Sequence, residues 1–390
     1  MKTLVESSTG IEPRSSSPLA SNRLVSVDVL RGITIAFMIL VNNGMRNSYA
    51  ALKHAEWNGW TPTDLVFPTF LFLVGMTIVF STESRLGRGA SKSSILLHNF
   101  RRACILFLLG LLVNGFPYFH LSTLRIYGVL QRIAICFLIA SILYLLDRRP
   151  ASKIVIVVVA LLGYWVLLRW VPIPGFGMPG RDFPLFDQTR NLTAFIDRHI
   201  FPGRLYVKVR DPEGLLSDLP AVGTTLLGML TAMWLRSTRS SALKAWGMLT
   251  AGILGILLGL LWGHWFPINK NLWTSSYVLF AAGWALIGLS ICYWAVDIRK
   301  WKKGWTYVWL VFGMNAITAY VFSEFLSSAL HAIAIHTRTE KVTLSEYLFV
   351  HCFAGIPSHH LESLAYSVAI VTVCFIPVAI LYHKKIFLKV

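Results

Sequence analysis

Residues 54–75 read HAEWNGWTPTDLVFPTFLFLVG, a short polar loop that runs directly into an apolar stretch. Between His54 and Asp64 it also carries Trp57 and Asn58, so an imidazole, an indole, an amide and a carboxylate stand close together in the chain. An imidazole titrates near neutral pH, so His54 can serve as a general base or as a nucleophile. Asp64 is placed to fix its tautomer in the manner of a triad orienter. Asn42, Asn43 or Asn58 would donate hydrogen bonds to an oxyanion, and Trp57 offers a flat face suited to a sugar ring. The plainer alternative is a loop anchor at a membrane edge, in which His54 and Trp57 only satisfy their own hydrogen bonds.

Other polar residues fall within apolar stretches, where ionisable groups are costly and tend to be paired or functional. Asp28 and Arg31 stand three apart on one helical face, the spacing of a structural ion pair. Gln131 and Arg132 lie a turn into another span, and Arg132 must meet a carboxylate, carbonyls or an anionic ligand because it keeps its proton. Glu213 and Asp218 are the nearest candidate partners. Asn269, Lys270 and Trp273 crowd the start of a further span, and Asn315 falls in the middle of the next. These residues are expected to line one polar cavity open to the outer side, which suits a transporter or a membrane enzyme equally.

The elements that must position them are membrane helices. The chain of 390 residues is 55% hydrophobic and 14% charged, with a mean hydropathy of +0.61, whereas soluble domains carry about 25% charged residues. Apolar runs long enough to cross a bilayer lie near 29–45, 64–82, 100–116, 127–146, 153–171, 215–236, 245–263, 273–296, 305–330 and 363–383. The predicted fold is an all-α polytopic bundle of about ten transmembrane helices, since no alternating barrel pattern appears. The net charge of +18 does not indicate a nucleic-acid partner. The basic residues cluster at 85–88, 101–102, 148–149, 299–303 and 384–385, the positive-inside pattern, which predicts that both termini are cytoplasmic.

The first 22 residues, with Ser15, Ser16, Ser17 and Pro18, are expected to form a flexible cytoplasmic tail, and residues 23–390 one transmembrane domain. Cys104, Cys136, Cys292 and Cys374 fall inside spans and Cys352 in an outer loop, so neither a disulfide framework nor a metal site is expected. Residues 172–214, rich in Pro and Gly, are too long for a passive connector and are expected to cover or gate something. Residues 331–362 hold His331, His336, His351, His359 and His360 without metalloprotease spacing, and these read as surface histidines.

The strings SVDVLRG (26–32), HAEWNG (54–59), DLVFPTFLFLVG (64–75), GVLQRIA (128–134), DPEGLL (211–216), NKNLWTSSYV (269–278) and FGMNA (312–316) resemble those of the heparan-alpha-glucosaminide N-acetyltransferase family and its bacterial relatives, in the same order. The resemblance implies a membrane enzyme that moves an acetyl group from cytosolic acetyl-CoA to the amine of a terminal glucosamine across the bilayer, with His54 as the reacting histidine. It implies acetyl-CoA as co-substrate and no metal. Where the lysosomal members carry an added luminal domain and an extra helix before the SVDVLRG block, this sequence shows a short tail, so a small amino sugar such as glucosamine, or a short amino-sugar chain, is the expected acceptor. Trp57, Asn58, Gln131, Arg132, Glu213, Asn269, Lys270, Trp273 and Asn315 are the candidate substrate contacts. Asp28 and Arg31 are the candidate acetyl-CoA contacts, because with no Gly-rich phosphate loop the CoA pocket needs charges from helices. Gly247, Ala251, Gly255, Gly259 and Gly263 recur every fourth residue, a smooth helix face for packing within the bundle or for a homodimer.

Overall fold

The computed structural model describes residues 24–45, 47–301, 304–336 and 341–387, so the expected tail at 1–22 lies outside the described residues. The chain forms helices α1 (Val25–Asn42), α2 (Val66–Leu86), α3 (Lys92–Gly115), α4 (Val129–Leu146), α5 (Pro150–Trp170), α6 (Leu192–Ile200), α7 (Asp218–Leu235), α8 (Ser241–Gly263) and α9 (Ser275–Cys292). Helices α10 (Trp305–Met314) and α11 (Ala316–Ala332) follow, then a hairpin of β1 (Ala334–His336) and β2 (Lys341–Thr343), α12 (Leu344–Phe353) and α13 (His359–His383). Among the described residues nine helices are long and apolar enough to cross a membrane, or ten if α10 and α11 make one span. This is an all-α polytopic membrane bundle.

Helices α1, α2, α7 and α9 form the centre, with most of their residues buried, whereas α3, α5, α8 and α13 turn rows of large apolar side chains outward, as a lipid-facing ring requires. Without a hydrophobic drive between helices in lipid, close backbone approach has to hold the centre together. Glycine makes it possible: a Cβ on Gly75 would stand 1.8 Å from the Thr225 carbonyl oxygen, and one on Gly228 would stand 1.9 Å from that of Phe72, so α2 and α7 cross backbone to backbone. The small-residue face of α8 packs on α9 in the same way, Gly259 against Phe280 and Ser276, Gly252 and Gly255 against Gly283. That face is used within the chain, and Ala251 points outward instead.

One expectation of continuity is corrected. The stretch read as one span over 305–330 bends by 80° between α10 and α11. Asn315 sits at the break, and its side-chain amide donates to the Ile386 carbonyl at 3.3 Å, a tertiary partner from beyond α13. The long segment 172–214 contains α6, N-capped by Asn191, whose side chain accepts from Ala194 N. Its apolar residues Ile173, Phe183, Phe186 and Leu192 close over Tyr164, Phe266 and Leu272 as a second small core at the His54 end of the bundle.

Candidate active site

Asp64 owes its position to a helix start. Thr61 is the N-cap of the 3-10 turn Pro62–Leu65 that opens α2, Pro62 presets the first turn, and Asp64 closes a capping box. Oδ2 of Asp64 accepts from Thr61 N and from Ala55 N, both at 3.0 Å. The other oxygen, Oδ1, lies 2.7 Å from Nδ1 of His54. Asp64 is 1% exposed, and the His54 side chain is 49% exposed. An ionised carboxylate can only accept, so the proton of the neutral ring sits on Nδ1 and Nε2 keeps its lone pair. The geometry is that of an oriented base or nucleophile facing outward.

Lys270 completes the cluster from the other side. Its Nζ is 3.0 Å from Nδ1 and 3.4 Å from Nε2 of His54, and 3.6 Å from Asp64 Oδ1. The ammonium is thus within hydrogen-bonding distance of both ring nitrogens and nearer to Nδ1. Burial pushes the Lys270 pKa down, against the pull of the Asp64 carboxylate. Asn269 holds this loop in place: its Oδ1 accepts from Leu272 N at 2.9 Å and its Nδ2 donates to Asn58 Oδ1 at 3.1 Å. Gly59 N donates to the Ile268 carbonyl at 2.8 Å, so the 54–59 and 268–274 loops are joined twice.

A second charged cluster lies behind the first. Fully buried Arg132 donates from Nε to Asp218 Oδ1 at 2.9 Å and from Nη2 to the Gly214 carbonyl and to Ser217, while its guanidinium lies 4.9 Å over the Trp273 ring. Trp273 meets Tyr277 edge to face, and Tyr277 donates to the Asp64 carbonyl at 2.5 Å. Glu213 accepts from Arg125, which also forms a two-pronged pair with Asp211. Burial opposes the Arg125 charge, but the two carboxylates more than offset it and hold its pKa above the ordinary range. Arg132 and Glu213 are within electrostatic reach of Lys270. Asp197 on α6 accepts from Leu215 N at 3.0 Å, and burial, with Asp211 and Asp218 nearby, pushes its pKa up to about 7.

The structure therefore brings together His54, Asp64, Asn58, Asn269 and Lys270, with Arg132, Glu213 and Trp273 adjacent. The other expected contacts have these partners. Asn42 donates to Glu324 at 3.1 Å, and Asn43 turns back to the Ile39 carbonyl at 2.8 Å. Trp57 donates to the Phe186 carbonyl and has the Arg210 guanidinium 4.5 Å over its ring, so it anchors the 172–214 segment. Gln131 is 1% exposed and fills the space left by Gly110 and Gly128. Arg31 pairs with Asp28 at 3.0 Å and with the Gly313 carbonyl near the N-terminal end of α1, and Asn315 lies toward that same end. Arg125, Asp211, Asp197 and Tyr277 were not evident from sequence. Arg125 and Asp211 are 86 residues apart, and no local pattern joins them.

The family model for heparan-alpha-glucosaminide N-acetyltransferase, catalytic, matches residues 23–260. The chain belongs to the heparan-alpha-glucosaminide N-acetyltransferase family. The human heparan-alpha-glucosaminide N-acetyltransferase is 28% identical over 94% of this chain and 60% of its own length. The mouse protein of the same name is 27% identical over 97% of this chain and 62% of its own. The chain thus spans about three fifths of the length of these curated relatives. The matched residues include His54, Asp64, Arg132 and Glu213 and end before Lys270.

Proposed function

We propose that this chain is a transmembrane N-acetyltransferase that transfers the acetyl group of acetyl-CoA, taken from the cytoplasmic side of a bacterial inner membrane, to the amine of a glucosamine-type sugar on the outer side. The observation that carries the reading is the 2.7 Å His54–Asp64 bond, which holds the neutral ring's proton on Nδ1 and its lone pair on Nε2. The amine that attacks a thioester must give up a proton as the new bond forms, and a positioned imidazole that takes it contributes roughly 10²–10⁴ in rate. At the other end of the bundle Arg31 and Arg85 lie within electrostatic reach of Arg102, a concentration of positive charge suited to the CoA phosphates. The positive-inside bias puts that end in the cytoplasm.

The test is transfer from radiolabelled acetyl-CoA to glucosamine by the purified protein in liposomes. Labelled N-acetylglucosamine is expected, and His54→Ala is expected to lose turnover while remaining folded. Uptake of unmodified glucosamine with no acetylated product would make the protein a transporter or sensor, and a folded His54→Ala variant with normal turnover would remove His54 from the reaction.

A further inference from the structure

We propose that Lys270 is a catalytic residue of this site, its ammonium donating a hydrogen bond to the acetyl carbonyl oxygen as that oxygen gains charge. The inference rests on the acetyltransferase reading and adds to it the group that stabilises the transition state. Acyl transfer to an amine places negative charge on the carbonyl oxygen, and a donor about 3 Å from that oxygen is often the largest single contribution of the protein. The sequence points to Asn42, Asn43 or Asn58 for this role; the carboxamides of Asn42 and Asn43 are bonded to Glu324 and to the Ile39 carbonyl, and Asn58 is tied through its Oδ1 to Asn269 and carries no charge.

Lys270 is the cation that the fold delivers instead. Its Nζ lies 3.4 Å from Nε2, so an acetyl carbon brought to an amine bonded at Nε2 has the ammonium beside its carbonyl oxygen. Asp64 accepts the Nδ1 proton and lies 3.6 Å from Nζ, so Lys270 is held by charge without being consumed by a short ion pair. The loop that carries it is fixed by Asn269 to the loop that carries His54, which makes the spacing of Nζ and Nε2 a property of the fold.

In the transfer, the amine lone pair bonds to the thioester carbon and the carbonyl π pair moves to oxygen. Nε2 of His54 takes a proton from the amine. The oxyanion then collapses, the C=O bond re-forms, the C–S bond breaks, and sulfur leaves with that electron pair and receives the proton from Nε2. Lys270 keeps its own proton throughout. The products are the acetamide and free CoA thiol.

An ammonium donor has a pH signature. The charged groups facing Nζ are His54, Asp64, Glu213 and Arg132, and burial favours early loss of the Lys270 proton. Activity is therefore expected to fall on the alkaline side as Lys270 deprotonates. Arg keeps its charge over that range, so Lys270→Arg should remove this alkaline limb.

The experiment measures kcat and KM for both substrates across a pH series with full-length protein in nanodiscs, for wild type, Lys270→Met and Lys270→Arg, with melting temperature alongside. The expected result is a kcat for Lys270→Met lower by about 10²–10³-fold with little change in KM, partial recovery in Lys270→Arg, and loss of its alkaline limb. Three results would overturn the proposal: Lys270→Met turnover within about threefold of wild type, equal loss in both variants with a lowered melting temperature, or acetyl found by mass spectrometry on Nζ of Lys270 after incubation with acetyl-CoA alone, since a donating ammonium has no lone pair to acetylate. A wild-type protein with no acetyl transfer at all would instead sink the enzyme reading.

Discussion

Asn269 and Asn58 are bonded side chain to side chain, Nδ2 of the first to Oδ1 of the second at 3.1 Å, across 211 positions of sequence. This contact sets where the loop of Lys270 lies relative to the loop of His54. Neither loop carries its own regular structure at that point, so the register between a base and a cation depends on a pair of amides and on the neighbouring Gly59 to Ile268 backbone bond.

Asn269→Ala removes that link and also leaves Leu272 N without its acceptor. A loss of stability of about 1–3 kcal/mol is expected, together with a fall in kcat larger than any change in KM. Thermal melting and steady-state kinetics on one preparation check both, and unchanged kcat would show that the two loops hold their register without it.

Asp64→Asn tests the tautomer. An amide in place of the carboxylate can present its NH₂ to Nδ1, which draws the ring proton to Nε2 and removes the lone pair from the outward nitrogen. Turnover is expected to fall by roughly 10³–10⁴-fold, more than the modest loss of the helix cap would account for. Nitrogen-detected NMR of labelled histidine, showing the proton still on Nδ1 in the variant, would remove this explanation.

Arg132→Met leaves Asp218 buried without its cation, and a cost of about 3–5 kcal/mol is expected. Converting Asp218 to Leu in the same chain should restore much of the lost stability, since replacing both members of a buried pair is far milder than removing one. If the double variant melts no higher than the single one, the pair is not what holds α4 to α7.

The raised pKa of Asp197 gives stability a pH dependence. Its folded value of about 7 lies above its ordinary value of 3.8, so the folded state prefers the neutral acid. The contribution is fully present below about pH 4, and it is lost progressively as pH rises toward 7. Asp197→Asn, which mimics the neutral acid, is expected to flatten the fall in melting temperature over that window and to melt higher than wild type near neutral pH. A variant that keeps the wild-type slope would assign the dependence to another group.

Gly259→Leu is expected to break the α8–α9 contact, because a Cβ there would stand 2.7 Å from Phe280 N and 2.8 Å from the Ser276 carbonyl. Overpacking of this kind costs about 1–3 kcal/mol or more, and size-exclusion chromatography should show loss of the monodisperse protein. A folded variant changed only in oligomeric state would mean that the face serves a dimer.

The legible part of this fold was local. Runs of apolar residues gave the spans, and the short separation of His54 from Asp64 allowed their pairing to be anticipated, because a capping box and its neighbouring loop lie within a few residues. What sequence could not give was long-range. The break at Asn315 has no proline and is stabilised by Ile386 from the other end of the chain. Arg125 meets Asp211 and Glu213 only through the folded segment that leads into α7. Asn42 and Asn43 illustrate the same limit, since their partners, Glu324 on α11 for the first and the Ile39 carbonyl of the same helix for the second, carry no signal in the local sequence.

Asp64 divides its two oxygens between the first turn of α2 and the ring of His54. Fraying of that turn and misalignment of the imidazole are consequently one event. Heat that opens only a few residues, well short of melting the bundle, would disarm the site, and cooling would re-arm it without refolding anything else. Reversible inactivation below the melting transition is then a thermometer for a single helical turn.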